Sequence, residues 1–460
     1  MNESILRNCG LVVIDDELDA AEPLLFVFRK KGIPCFYYDG EENSLNGLPE
    51  SPLERVRFVF VDLVLSGYTI FDHGKCAAKI AAILQKIMRS NNGPYALIYW
   101  SKHSLEDNTE FEQKLAEYCN SESDTETKVP VPVVFCDMDK SDCYAHGNAL
   151  EYIHRKLSEK LKEASALQLY VEWERIVAKS ATECVKEFSD VADAMSPNDW
   201  QEGTGKLFGH LCKAFVGQRP VSDDKQRFRY ASQALNRIIF DRLEHNVDMS
   251  LELPEGLQIP NVGNLDSKNK SRFNAALFIS YFEDKALINA GDVFAMTQGC
   301  TTQLPECEMD FEKIREAIKA RTKEGDGTIE ITPWELIFTV VTPGCDLAQE
   351  KCPASDGQKL YRGIYGLLRR YDTADAAEIV LKNLKGKKGV IDAIFREIQV
   401  FYRKPHYYVL IFDFHTLTTL WSVPSTLLAN YLFSFKNEIL HDLQSKAASH
   451  VNRIGHLVFD

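Results

Sequence analysis

The chain has 460 residues, of which 45% are hydrophobic and 26% are charged, a composition typical of soluble globular proteins. At roughly 100–200 residues per domain, we expect two to four domains. The 67 acidic residues outnumber the 53 basic ones, which gives a formal net charge of −14. This balance argues against a general nucleic-acid-binding protein, because such proteins rely on Lys and Arg to contact phosphates.

The apolar segments are too short for a membrane protein. None approaches the roughly 20 consecutive apolar residues that span a bilayer, and the N-terminal residues lack the basic and apolar regions of a secretory signal. The 12 cysteines are scattered and form no C-x-x-C pair. We therefore expect a cytoplasmic protein with reduced thiols and no membrane partner.

The first 165 residues alternate strand-like and helix-like patterns. Helical spacing of apolar residues occurs at residues 17–31, 76–88 and 150–161. Strand-like runs occur between these helices, at residues 11–15, 35–38, 56–63, 95–100 and 131–136. Five β–α units of this kind predict an α/β domain over residues 1–165, a doubly wound, five-stranded parallel sheet with helices on both faces.

Residues 166–248 are predicted to form a helical connector. A stripe of apolar residues runs from Leu169 to Met195 at spacings of three and four. The stripe fits either a core within the domain or a dimerising helix, so a homodimer is one expected assembly. The basic helix over residues 225–242 is expected to be a solvated surface and not a nucleic-acid-binding face.

Residues 249–460 are predicted to form an α+β domain for output or interaction. Strand-like segments occur at residues 275–281, 292–296, 336–341 and 407–414. Helical patterns occur at residues 311–320, 376–384 and 427–448.

Polar residues follow the predicted strands of the first domain at their carboxyl ends. Asp15 and Asp16 end the first strand, Asp62 ends the third, Ser101 ends the fourth, and Lys140 follows the fifth. These ends meet at one edge of a doubly wound sheet, where ligands bind. Clustered carboxylates need a cation, and their hard oxygen ligands suit Mg²⁺. With a hydroxyl and an ammonium group added, the set fits phosphoryl transfer to Asp62 as the nucleophile.

These residues resemble the receiver domain of two-component response regulators, over about residues 8–165. The resemblance rests on the acidic pair after the first strand, on the segment DLVLSG that begins at Asp62, and on the order of Ser101 and Lys140. It implies a flavodoxin-like fold, Mg²⁺ held by the three aspartates, and catalytic roles for Asp62, Ser101 and Lys140. Ser141 stands where the family usually has proline. A degenerate receiver used only for docking is the alternative.

A second candidate site lies in the last domain. Cys345 and Asp346 follow a predicted strand in the segment TPGCDLAQ, and Cys345 could act as a nucleophile or metal ligand with His406 or His415 as the base. The alternative is a structural turn in which Asp346 caps the next helix. Four cysteines with two six-residue gaps also allow a zinc site or incidental thiols; they are Cys300, Cys307, Cys345 and Cys352.

Three segments, TPGCDLAQ, YYVLIFDFHTL and SHVNRIG, resemble bacterial proteins with atypical response-receiver domains that act in conflict or anti-phage systems. The resemblance implies a histidine-kinase-like or chaperone-like ATPase as partner. The expected function is a response-regulator-like signalling protein that accepts a phosphoryl group on Asp62. Two alternatives remain: an effector enzyme with a hydrolase centred on Cys345 or on a metal, and an adaptor without chemistry of its own.

Overall fold

A computed structural model of the chain describes residues 10–65, 73–101, 109–120, 128–141, 151–152, 155–156, 159, 165–217, 221, 223–250, 263–297, 334–348, 354–355, 357–385, 394–395 and 400–454. The chain divides into two compact units. Unit 1 comprises Met1–Leu207 and Leu235–Pro260, and unit 2 comprises Phe208–Ala234 and Asn261–Asp460. Within the described residues, no helix combines the length and the apolarity needed to cross a bilayer.

Unit 1 contains a five-stranded, all-parallel sheet with the strand order β2-β1-β3-β4-β5. Its strands are β1 (Gly10–Ile14), β2 (Phe36–Tyr38), β3 (Val56–Val61), β4 (Ala96–Ser101) and β5 (Val134–Asp139). Every residue of β3 and β4 is buried. Central parallel strands are covered on both faces, which explains why these two segments read as nearly continuous apolar runs. The α/β class and the parallel sheet predicted from the sequence are confirmed.

Helices cover both faces of this sheet. They are α1 (Leu18–Lys31), α2 (His73–Ile87), α3 (Thr109–Asn120) and α4 (Ser165–Met195). On one face Leu24 of α1 and Val171 of α4 join the core, and on the other face Leu84 of α2 and Phe111 of α3 do so. Residues 39–55, between β2 and β3, contain no helix, so the predicted β–α alternation is wrong at this step. Leu48 and Leu53 of this connection pack against the core instead.

Helix α4 is attached to the amino-terminal edge of the sheet by a buried ion pair. The guanidinium group of Arg57, on β3, bonds both carboxylate oxygens of Glu174, at 2.6 and 3.1 Å. The same group donates to the backbone carbonyls of Asn92 and Val56. Because Arg57 and Glu174 lie 117 positions apart, this contact fixes the first part of α4 to the sheet. Helices α5 (Trp200–Val216) and α6 (Asp224–Ser250) follow.

Unit 2 contains a nine-stranded sheet whose neighbouring strands are antiparallel. Seven strands follow the order β11-β13-β10-β8-β7-β14-β6, while β12 pairs with β13 and β9 with β10. The strands are β6 (Ile279–Ser280), β7 (Asp292–Ala295), β8 (Glu335–Val340), β9 (Ala354–Ser355), β10 (Gln358–Tyr371), β11 (Ile394–Phe395), β12 (Phe401–Arg403), β13 (His406–Ser422) and β14 (Tyr431–Phe435).

Two hydrophobic clusters, one on each face of the sheet, form the core of unit 2. The helix Ala374–Lys385 contributes to one cluster and the helix Asn437–Ile454 to the other. The described helices of this unit after α6 are α7 (Ser267–Phe278), α8 (Gly344–Ala348), α9 (Ala374–Lys385), α10 (Pro424–Ala429) and α11 (Asn437–Ile454).

Three features of unit 2 differ from the sequence prediction. The helix predicted over residues 427–448 is confirmed from residue 437 onwards but wrong in its first part, because Tyr431–Phe435 forms β14 and pairs with β7. The strand predicted over residues 275–281 is wrong up to Phe278, because Asp266 caps α7 and the helix continues to that residue. The longest partner of β13, β10, was not predicted. The helix predicted over residues 311–320 lies outside the described residues.

Candidate metal and phosphoacceptor site

The carboxyl ends of four neighbouring strands bring the predicted site residues of unit 1 to one edge of the sheet. Asp15 directly follows β1, Asp62 follows β3, and Lys140 follows β5. Ser101 is the last residue of β4 and is paired in register with Asp139. The parallel register places Ile14 opposite Val61, so Asp15 and Asp62 leave the sheet side by side.

Three carboxylates converge at this edge. Oxygen atoms of Asp15, Asp16 and Asp62 lie within 4.8 Å of one another. The side chain of Asp15 is fully buried, and that of Asp62 is 12% exposed. Like charges at this spacing repel, and burial makes each charge more costly. A bound cation would remove both penalties, so among the described residues this group can hold a metal ion.

Lys140 supplies positive charge to the same cluster. Its Nζ lies 2.6 Å from Oδ2 of Asp62 and 2.6 Å from Oδ2 of Asp15, and its side chain is 1% exposed. The contact with Asp62 is a hydrogen bond, whereas the contact with Asp15 is an ion pair without hydrogen-bond alignment. A buried ammonium group between two carboxylates stabilises both only while the three groups keep this geometry.

Backbone amides bond the second carboxylate oxygen of Asp15 and of Asp62. Glu17 N donates to Oδ1 of Asp15 at 3.1 Å, and Val64 N donates to Oδ1 of Asp62 at 3.1 Å. Each aspartate therefore has one oxygen held by a local amide and one held by Lys140. The orientation of both carboxylates is thus fixed before any ligand binds, which lowers the cost of binding.

The electrostatics of the site appear in two pKa shifts. Burial raises the pKa of Asp15 from 3.8 to about 6; Lys140 opposes this rise, and the neighbouring charge of Asp62 adds to it. Burial alone would lower the pKa of Lys140, but the negative charges of Asp62 and Asp15 beside its Nζ outweigh this effect and raise that pKa. Lys140 therefore stays charged at neutral pH, while Asp15 ionises near pH 6.

Ser101 lies beneath the same edge. Its side chain is buried, and the preceding residue, Trp100, belongs to the core layer that α1 and α4 cover. Asp62 is the most accessible of the three buried charged groups and is therefore the one that an incoming ligand can reach.

Sequence reasoning missed one residue at this edge. The hydroxyl group of Tyr37, on β2, donates to the backbone carbonyl of Asp15 at 2.6 Å. Burial, followed by the nearby carboxylates of Asp15, Asp39 and Asp16, raises the pKa of Tyr37 to about 12. The only signal in the sequence is the position of Tyr37 in the strand next to β1, which does not show where the hydroxyl group points.

The residues of the second candidate site lie on separate elements of unit 2. Cys345 and Asp346 lie in the five-residue helix α8 after β8, with Asp346 in its first turn and not at the N-cap position. Thr342, just before α8, bonds the backbone of Arg362 on β10. His406 lies opposite Arg403 and next to Tyr371, at the far end of β10, about 30 Å from Arg362 at 3.3 Å per residue.

His415 lies elsewhere in the sheet, at an irregularity of β13. Its Nδ1 lies 2.9 Å from Oδ1 of the buried Asp413, which also accepts from the backbone amide of His415. Thr416 bonds the backbone of Tyr365 beside it. These bonds satisfy the polar groups at the irregularity of β13, so the contact between Asp413 and His415 has a structural explanation. The proposed cysteine zinc site lies outside the described residues for Cys300, Cys307 and Cys352, and the side chain of Cys345 is not described.

No protein-family model matches this chain, and neither a curated protein nor a solved structure matches it.

Proposed function

We propose that unit 1 is a receiver-type phosphoacceptor and that Asp62 is its nucleophile. One observation carries the proposal: the carboxylate of Asp62, which is more exposed than Asp15 or Lys140, is bonded to Lys140 and converges with two further aspartates. The strand order 2-1-3-4-5 supports it, because flavodoxin-like folds have this order and bind ligands at the strand ends where β1 and β3 meet.

The three aspartates fit a hard divalent cation, and Mg²⁺ is the ion that suits phosphoryl chemistry best. Asp15, Asp16 and Asp62 would hold it. When bound, Mg²⁺ neutralises phosphoryl oxygens and the carboxylates around them. Lys140 supplies the remaining positive charge, and its buried position keeps it aimed at Asp62.

Phosphoryl transfer to Asp62 needs only the phosphoryl donor and no further reactant. A carboxylate oxygen of Asp62 attacks the phosphorus atom of an acyl phosphate or phosphohistidine donor. The bond from phosphorus to the donor breaks, and the donor leaves with the electron pair of that bond. The product is an acyl phosphate on Asp62, whose phosphoryl group carries a charge of about −1.5 to −2 beside Ser101 and Lys140.

The added charge is the signal in this proposal. Lys140 and the hydroxyl group of Ser101 reorient towards the new phosphoryl oxygens. This reorientation shifts the helices that pack on the sheet. Unit 2 serves as the output or interaction domain. The expected partner is a histidine-kinase-like or chaperone-like ATPase, and the proposed setting is bacterial defence.

The test is the intact mass of the purified full chain after incubation with acetyl phosphate and Mg²⁺. We expect the wild-type chain to gain one phosphoryl group, and we expect no gain with Asp62→Asn or with EDTA. Asp39→Asn is the matched control, because Asp39 directly follows β2 as Asp62 follows β3. Equal labelling of wild type and Asp62→Asn, or no labelling of the wild type, would overturn the proposal.

A further inference from the structure

Strand β2 holds the backbone of Asp15 from one side by two bonds. The amide of Asp15 donates to the carbonyl of Tyr38 at 3.0 Å. The carbonyl of Asp15 accepts from the hydroxyl group of Tyr37 at 2.6 Å. The first bond continues the parallel ladder between β1 and β2. The second is made by a side chain, because β2 ends at Tyr38 and the ladder goes no further.

The carbonyl of Asp15 belongs to the peptide group that joins Asp15 to Asp16. In an extended chain, successive side chains point to opposite faces. Here the carboxylates of two successive residues, Asp15 and Asp16, lie within 4.8 Å of each other and of Asp62. The chain bends at Asp16, directly after β1. Convergence of the two carboxylates therefore depends on the rotation of the peptide plane between them.

The peptide group is planar, so a bond to its oxygen atom fixes the orientation of the whole group. The hydroxyl group of Tyr37 makes such a bond, at the short end of the normal range. A phenol suits this place because it is a neutral donor. A lysine or arginine would add a positive charge beside three carboxylates and would compete with a metal ion for them.

We propose that Tyr37 is a positioning residue for a divalent metal ion: its hydroxyl group sets the Asp15–Asp16 peptide plane so that both carboxylates face the same ion. This inference rests on the proposed metal-dependent function of the same site. Tyr37 contacts neither the ion nor the phosphoryl group and acts only through the backbone of Asp15. Removing a residue that orients metal ligands typically weakens metal binding about 10- to 100-fold. For loss of the Tyr37 hydroxyl group we expect Mg²⁺ affinity to fall by about tenfold, the lower end of that range.

Tyr37→Phe removes the hydroxyl group alone, and Tyr38→Phe is its matched control. Tyr38 is the next residue of β2, but its ring packs in the core layer on the opposite face of the sheet. Isothermal titration of the full chain with Mg²⁺ measures the dissociation constant directly. We expect Tyr37→Phe to raise it about tenfold and Tyr38→Phe to leave it unchanged.

A kinetic measurement separates positioning from a general loss of structure. The rate of phosphorylation by acetyl phosphate is followed as a function of Mg²⁺ concentration. For Tyr37→Phe we expect the half-saturating Mg²⁺ concentration to rise by the same factor as the dissociation constant, and the rate at saturation to stay at the wild-type value. A lower melting temperature with an unchanged dissociation constant would overturn the inference and leave the proposed function standing. A wild-type chain that binds no Mg²⁺ would overturn both.

Discussion

Lys140 and Asp62 are 78 positions apart in the chain, yet Nζ of Lys140 lies 2.6 Å from Oδ2 of Asp62. Strand β4, which ends at Ser101, lies between the strands that precede them. The lysine side chain thus reaches past the end of a neighbouring strand to neutralise a carboxylate. It reaches Asp15 at the same distance, so one ammonium group joins three strands of the sheet.

Removing this ammonium group should destabilise the metal-free protein. Lys140→Met leaves two buried carboxylates without their counter-charge, and we expect the free energy of unfolding at pH 7.5 to fall by about 3 kcal/mol. Mg²⁺ should restore part of the loss, because a cation between the aspartates replaces the missing charge. Urea unfolding with and without Mg²⁺ measures both effects.

Lys79→Met is the control for that experiment. Lys79 pairs with Glu41 on the surface, where the glutamate side chain is 56% exposed, and we expect a change below about 1 kcal/mol. Equal stability of wild type and Lys140→Met in the absence of metal would show that the buried ion pairs do not form.

The raised pKa of Asp15 predicts a pH-dependent stability with a definite sign. The folded protein, in which this pKa is about 6, holds the proton more tightly than the unfolded chain, in which it is near 3.8. The free energy of unfolding should therefore fall as the pH rises from about 4 to about 6, by up to about 3 kcal/mol. Other groups titrate in this range, so the measured quantity is the difference between the wild-type and Asp15→Asn unfolding curves. A difference that is constant between pH 4 and 7 would contradict the prediction.

The buried pair that holds α4 to the sheet can be tested by one isosteric change. Glu174→Gln leaves the guanidinium group of Arg57 buried without its counter-charge, and we expect a loss of about 2 kcal/mol in the free energy of unfolding. Glu187→Gln is the matched control, because Glu187 pairs with Arg242 at an exposed position on the same helix. If the two variants lose equal stability in urea unfolding, the Arg57–Glu174 contact does not anchor α4.

Unit 2 has a comparable buried pair. Nζ of Lys285 lies 2.6 Å from Oδ1 of Asp292 and 3.1 Å from the hydroxyl oxygen of Ser434, which itself donates to Asp292. Burial raises the pKa of Asp292, and Lys285 opposes the rise. Lys285→Met should therefore cost about 3 kcal/mol at pH 7.5 and less at pH 5, because a lower pH favours the protonated form of Asp292, which needs no counter-charge.

Arg370→Met is the control for unit 2, because its partner Glu335 lies on the surface and the pair should be worth less than about 1 kcal/mol. Guanidinium unfolding at the two pH values makes the comparison. A loss from Lys285→Met that does not shrink at pH 5 would rule out protonation of Asp292 as the compensating event.

The main charged residues of the site were predictable from the sequence because their positions follow from one rule of architecture. Asp15 and Asp62 each come directly after an apolar run, Lys140 follows the predicted fifth strand, and parallel strands end at a common edge. The contribution of Tyr37 was not predictable in this way. Its hydroxyl group bonds the backbone carbonyl of Asp15, just after β1, and that contact depends on where β2 ends, which the residue type alone does not show.

The second sheet was harder to predict because its strands depend on tertiary contacts. β10 carries charges at both ends and two glycines within, which is a poor strand pattern in isolation. The structure explains the glycines: a Cβ atom at Gly363 would lie 2.2 Å from the ring of Phe338, and one at Gly366 would lie 2.5 Å from the carbonyl oxygen of Ile411. Only glycine allows the neighbouring strands to approach this closely.

The 31-residue helix α4 also has a mechanical consequence. Its first turns belong to the core of the sheet, and Glu174 fixes it there, while Met195 at its other end is about 30 Å further along at 1.5 Å per residue. A tilt of about 5° at Glu174 would carry Met195 through about 3 Å. A rearrangement of the sheet too small to alter its own packing would therefore be magnified along this helix into a displacement the size of a side chain.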